Sequence, residues 1–215
     1  MFAELFSLLF PKRCFGCNRT KTFLCASCAS AIRLPAPLPD PHLFACFGYR
    51  DTLAQKLIKK LKYQRRQSIA LDLAPYLYDR IIEEIADRDR LAHRTEKIVL
   101  IPMPISQDRR RKRGFNQAEL LASALARLDS ELFELQPKLL AKTHSTLPQV
   151  SQRNRQERLR NLEGAFAVTE PERLRNRTVV IVDDVITTGA TMSETRKAVK
   201  RTGAAMVYGL AVAHG

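Results

Sequence analysis

The sequence has no tryptophan, and aromatic residues fill only 7% of its 215 positions. Stacking platforms for nucleic-acid bases are therefore few. No apolar run approaches the roughly 18 residues that a membrane-spanning helix needs. The apolar stretch from Phe2 to Phe10 is short, contains Glu4 and has no basic leader. It reads as a short amphipathic helix stopped by Pro11, not as a signal peptide, which points to the cytoplasm. His42, His93, His144 and His214 are scattered without ligand spacing, so they count as structural or surface residues. No internal repeat or low-complexity segment is present. Acidic residues are scarce: 22 against 36 Lys and Arg, a formal net charge of +14. That balance favours polyanionic partners, whether nucleic acid, polyphosphate or an acidic membrane surface, and it equally suits a plain solvated cationic surface.

What is present supports a packed core, since hydrophobic residues make up 45% of the chain. The length suits one ordinary domain plus a small accessory module. Pro35, Pro37, Pro39 and Pro41 form a stiff connector, which divides residues 1–41 from residues 42–215. Beyond the connector, Phe44 to Tyr49 reads as a strand. Leu53, Leu57, Ile58 and Leu61 then recur at helical spacing, with Lys56, Lys59, Lys60 and Lys62 on the outer face. A second helix is predicted over Ile69 to Ile85, a buried strand over Ile98 to Ile101, and a helix over Phe115 to Leu128. Strands at Ala165 to Val168, Val179 to Val182 and Met206 to Ala213, with a helix from Thr191 to Arg201, complete the pattern. Strands alternating with helices imply an α/β domain with a mainly parallel sheet.

Four of the five cysteines fall in two tight pairs, Cys14 with Cys17 and Cys25 with Cys28. Two such knuckles supply four thiolates, the ligand set of a closed structural zinc site; disulfide pairing and an iron–sulfur site are the alternatives. Cys46 stands alone and reads as a packed thiol.

The sharpest local signal is VVIVDDVITTGAT, from Val179 to Thr191. An unbroken β-branched run makes a central strand, two carboxylates follow at its end, and a short turn opens a helix. Ligands of open parallel sheets bind beyond the carboxyl ends of strands. A loop entering a helix offers free N–H groups to a phosphate, and Gly189 lets the backbone approach it closely. Asp183 and Asp184 can accept hydrogen bonds from ribose hydroxyls. The bland alternative is a strand end whose aspartates cap a loop.

These thirteen residues resemble the phosphoribosyl-pyrophosphate (PRPP) motif of type I phosphoribosyltransferases. The resemblance implies that fold, a mainly parallel central sheet joined to a small N-terminal zinc-ribbon-like module. It makes Asp183 and Asp184 the candidate catalytic pair, holding the ribose hydroxyls. Thr187, Thr188, Gly189, Ala190 and Thr191 would hold the 5-phosphate, with Mg²⁺ accompanying PRPP.

Two basic segments narrow the likeness further. Ile101-Pro-Met-Pro104 precedes Arg109 to Arg113 and then Gly114-Phe-Asn-Gln117; a second cluster spans Gln149 to Asn161 and leads to Gly164-Ala-Phe166. Five consecutive cations repel one another and need a partner or solvent to screen them. With the cysteine module, this order resembles the ComF/GntX group over nearly the whole chain. By that resemblance, Ser106, Arg109 and Arg110 are candidates for binding pyrophosphate, and Arg153 lies in a candidate closing loop. The group includes competence proteins, which implies single-stranded DNA and DNA-uptake or helicase proteins as partners. Two other readings remain: a phosphoribosyltransferase of nucleotide metabolism acting on a small acceptor, and a non-catalytic PRPP sensor.

Overall fold

Val179 to Val182 are wholly buried and form the middle of the sheet. A computed structural model describes residues 11–63, 67–86, 96–143 and 164–215. The helix expected at residues 1–10 and the basic cluster around Arg153 lie outside the described residues. In chain order the elements are α1 (Ala26–Ser30), β1 (Leu43–Gly48), α2 (Thr52–Tyr63), α3 (Gln67–Ala86), β2 (Ile98–Pro102), α4 (Gln107–Arg113) and α5 (Gln117–Leu128). Then follow β3 (Phe133–Leu135), β4 (Leu140–Lys142), β5 (Phe166–Val168), β6 (Thr178–Ile186), α6 (Ala190–Lys200) and β7 (Met206–His214).

Five strands form one sheet in the order β1-β7-β6-β2-β3, and every pairing in it is parallel. β4 and β5 make a separate antiparallel ribbon. Strand alternation divides the apolar side chains between two cores. Val180, Val182, Ile98 and Leu100 pack with the buried faces of α2, α3 and α5. Val179, Ile181, Val99 and Ile101 face the other way, towards Met192 and Val199 of α6 and Phe166 of the ribbon. Covering both faces explains why these strands are apolar throughout. Gly209 is needed for this packing, because a Cβ there would lie 2.5 Å from Met192 Cγ and 2.6 Å from Leu43 Cδ2.

Phe23, Leu24, Ala29 and Ile32 of the cysteine module join the same core as α2 and α3. Asp72 of α3 fastens the module further: it accepts the Phe23 N–H at 2.7 Å and pairs with Lys12 Nζ at 3.1 Å. The proline connector is also tied down. Asp40 pairs with Arg196 of α6 and accepts from Ser193 Oγ at 3.2 Å.

Two elements go beyond the sequence pattern. β6 does not stop at Val182; its main chain keeps pairing with β7 as far as Ile186 opposite His214, so both aspartates lie within the strand. The basic run is a helix, α4. Ser106 Oγ caps it by accepting the Arg109 N–H, and Gly114 closes it in the left-handed region at φ 78°. Its four cations in the last turn sit at the negative end of the helix dipole, which offsets their repulsion.

Candidate functional site

β2 and β6 are neighbours, but their connections leave in opposite directions, β2 through α5 to β3 and β6 through α6 to β7. The carboxyl ends of the two strands therefore open a crevice, the place where an open α/β sheet takes its ligand. The cleft there has a volume of about 720 Å³. From β6 and its loop it is lined by Asp183, Asp184, Thr187, Gly189 and Thr191. From the β2 side come Ser106, Arg109, Arg113 and Gln117.

Asn116 builds the β2 side. Its Nδ2 donates to the Met103 carbonyl at 3.0 Å, and its Oδ1 accepts the Ala118 N–H at 3.0 Å. One buried amide thus pins the end of β2 and caps α5. Gln117, only 3% exposed, follows on the cleft wall, and its side-chain oxygen has no partner among the described residues.

On the β6 side, Gly189 is the N-cap of α6 with φ 79°, a region costly for any residue with a Cβ. No acidic residue occupies the first turn of α6, so its free N–H groups and positive dipole end are open to an anion. Thr188 is turned to its own loop, where its hydroxyl accepts the Ala190 N–H at 3.5 Å. Thr187 and Thr191 carry the hydroxyls that line the cleft.

Asp183 and Asp184 both line the cleft at the end of β6. Asp183 Oδ1 accepts the Asp184 N–H at 2.8 Å. Asp184 is 7% exposed and meets Lys62 Nζ of α2 at 2.6 Å. Burial, reinforced by the neighbouring Asp184 charge, holds the Asp183 carboxyl well above the usual carboxylate range, and Lys62 works against the rise. Across the cleft, burial and the Arg109 charge lower the Lys142 ammonium from its ordinary value.

The second cluster is the cysteine module. The sulfurs of Cys14, Cys17, Cys25 and Cys28 all lie within 4.8 Å of one another, so the four cysteines are positioned to hold a metal ion. Cys25 Sγ is 3.7 Å from Cys14 Sγ and 3.6 Å from Cys17 Sγ. A tetrahedral zinc–thiolate centre, with bonds of about 2.3 Å, places its sulfurs about 3.8 Å apart, so the donor set fits. Burial works to raise the Cys14 thiol, but the N–H groups of Cys17, Cys25 and Gly16 outweigh it and bring it to about 6. Cys28 goes the other way, to about 12, through hydrogen bonds to Cys25, Cys17 and Cys14. Four thiols in one small space do not all ionise without a cation. Cys46 is apart from them; it donates to the Tyr76 carbonyl at 3.3 Å, and burial pushes its thiol up to about 12.

Comparison with known proteins agrees with this geometry. The phosphoribosyl transferase domain family matches residues 112–214. DNA utilization protein YhgH of Escherichia coli is 34% identical over 210 residues, covering 90% of this chain and 85% of the relative. Competence protein F of Haemophilus influenzae is 33% identical over 215 residues, covering 92% and 89%. The chain belongs to the ComF family. Competence protein ComFC of Bacillus subtilis matches a shorter part, 35% identical over 95 residues, 44% of this chain and 35% of the relative. ComF membership and the parallel sheet together give the type I phosphoribosyltransferase fold.

The structure brings Ser106 and Arg109 to the same cleft as the aspartates, while Arg110 turns outward to Glu119 at 3.5 Å. Lining residues that the sequence pattern does not single out include Lys62, Gln117 and Lys142. Lys62 was expected on the outer face of α2. It falls four residues after the buried Ile58, at the edge of the apolar stripe, and that spacing is the signal that could have found it.

Proposed function

We propose that this ComF-family chain binds PRPP with Mg²⁺ in the cleft between β2 and β6, and that it handles single-stranded DNA in the cytoplasm during DNA uptake. The carrying observation is one crevice that combines a glycine-capped helix start, open to a phosphate, with a pair of carboxylates on the adjoining strand. Asp183 and Asp184 hold the ribose hydroxyls. The Gly189–Thr191 turn, with Thr187, holds the 5-phosphate. Arg109 and Arg113 face the pyrophosphate, with Ser106 beside them; Mg²⁺ supplies the remaining neutralisation of its charge. The cysteine module holds zinc as a structural centre.

The relatives' names, DNA utilization protein and competence protein, support the DNA half of this reading. So does the net charge of +14. A phosphoribosyltransferase acting on a small acceptor is the second reading, and one observation favours it: the buried Gln117 oxygen on the cleft wall, without a partner among the described residues and a ready acceptor for an N–H of a base or amine. The double variant Asp183→Asn/Asp184→Asn tests the main reading. It is expected to lose PRPP binding in calorimetry and to keep its affinity for an oligonucleotide. Unchanged PRPP binding removes the pair from the site.

A further inference from the structure

α2 presents an acid-free face to solvent. None of its twelve residues is Asp or Glu, and Ala54, Leu57, Ile58 and Leu61 bury the opposite face. Lys56, Lys59 and Tyr63 are exposed and fall three and four residues apart, so they form one stripe along the helix. Tyr63 is 66% exposed, and its ring takes little part in the core. At one end, Lys56 Nζ donates to the Phe15 carbonyl at 3.0 Å and lies 5.4 Å from the Phe15 ring, inside the cysteine module. At the other end, the Arg113 guanidinium lies 5.4 Å from the Tyr63 ring. Arg113 and Arg109, one turn apart on α4, both line the cleft. The stripe therefore runs from the cysteine module to the cleft mouth.

We propose that this stripe is the track for the single-stranded nucleic acid. The proposal rests on the DNA-handling reading above and gives it a surface. Lys56, Lys59 and Arg113 meet successive phosphates, and Tyr63 stacks on one base. Cations alone would suit any polyanion. The exposed aromatic ring set between them favours a strand whose base faces are free, over a duplex, which hides them, and over a lipid headgroup, which has none. Arg113 belongs to both track and cleft, so a strand on the track arrives at the ligand's edge.

The test is titration of fluorescein-labelled oligothymidylate with the full, zinc-loaded chain. Wild type is compared with Tyr63→Ala, Tyr63→Phe and the double variant Lys56→Gln/Lys59→Gln. Tyr63→Ala is expected to weaken binding by about five-fold to a hundred-fold, and Tyr63→Phe to retain it. The lysine variant is expected to lower the salt slope by about 0.7 for each charge removed. With no tryptophan and five tyrosines, the chain's own emission reports the contact: oligothymidylate quenches part of it, and Tyr63→Phe loses that part. If wild type binds and Tyr63→Ala binds equally well, the track is overturned and DNA handling stands on another face. If a duplex of equal length binds as tightly, the stacking role is overturned. If wild type binds phosphatidylserine vesicles and no oligonucleotide, the track and the DNA reading fall together.

Discussion

Lys62 Nζ of α2 lies 2.6 Å from Asp184 Oδ2 of β6, so a lysine from outside the Val179–Thr191 segment closes one side of the acidic pair. Its charge also works against burial and Asp184 in holding the Asp183 carboxyl down. Lys62→Met drives Asp183 further up. An acid with a raised pKa keeps its proton where an ionised acceptor is wanted. PRPP affinity is therefore expected to fall about ten-fold near neutral pH and to recover as the pH rises. Calorimetry over a pH series checks this; a uniform loss at every pH gives Lys62 a role independent of the acids.

Asp183 also sets a stability trend. Its folded pKa lies well above the ordinary carboxylate value. The folded state thus keeps a proton that the unfolded chain has released, and stability falls as the pH climbs from the ordinary value through the folded one. Asp183→Asn has no such loss and can still accept the Asp184 N–H. The ligand-free variant is expected to match wild type in acid and exceed it at higher pH. Its Tm rises roughly 2–4 °C for each kcal/mol recovered. Thermal unfolding across pH measures the gap.

Asn116→Ala removes the cap of α5 and leaves the Met103 carbonyl without its side-chain partner. A lost cap costs about 1 kcal/mol, and an unsatisfied buried acceptor about 1–3 kcal/mol more. Urea denaturation is expected to show a midpoint lowered by the equivalent of about 2–4 kcal/mol. PRPP binding weakens as well, since Asn116 positions the β2 wall.

Metal removal acts on the module and the core together. Phe23, Leu24, Ala29 and Ile32 pack into the core shared with α2 and α3. Chelation, or Cys25→Ser, is expected to lower the Tm and to release one zinc per chain, read by elemental analysis. A metal-free chain with an unchanged Tm would assign the cluster no structural role.

Much of this was legible in the sequence because local pattern and fold agree. The β-branched run from Val179 marked the central strand, and Gly189 marked the turn whose φ of 79° it adopts. The Cys14–Cys17 and Cys25–Cys28 spacings announced a cluster that the fold closes to within 4.8 Å. Less legible was anything decided by tertiary contact. β6 runs past Val182 because β7 continues beside it, and nothing local in Asp183-Asp184 signals that pairing. The run Arg109 to Arg113 carries no apolar periodicity, yet Ser106 and Gly114 cap it into α4. Lys62, Arg113 and Lys142 reach the cleft from three separate elements, a convergence that no spacing encodes.

The most direct measurement is calorimetric titration of PRPP with Mg²⁺ into the zinc-loaded protein, repeated with oligothymidylate already bound. Saturable binding of one PRPP per chain is expected, weakened by the bound strand because Arg113 serves both ligands. No heat of PRPP binding from a folded, zinc-loaded chain would contradict the site at Asp183 and Asp184.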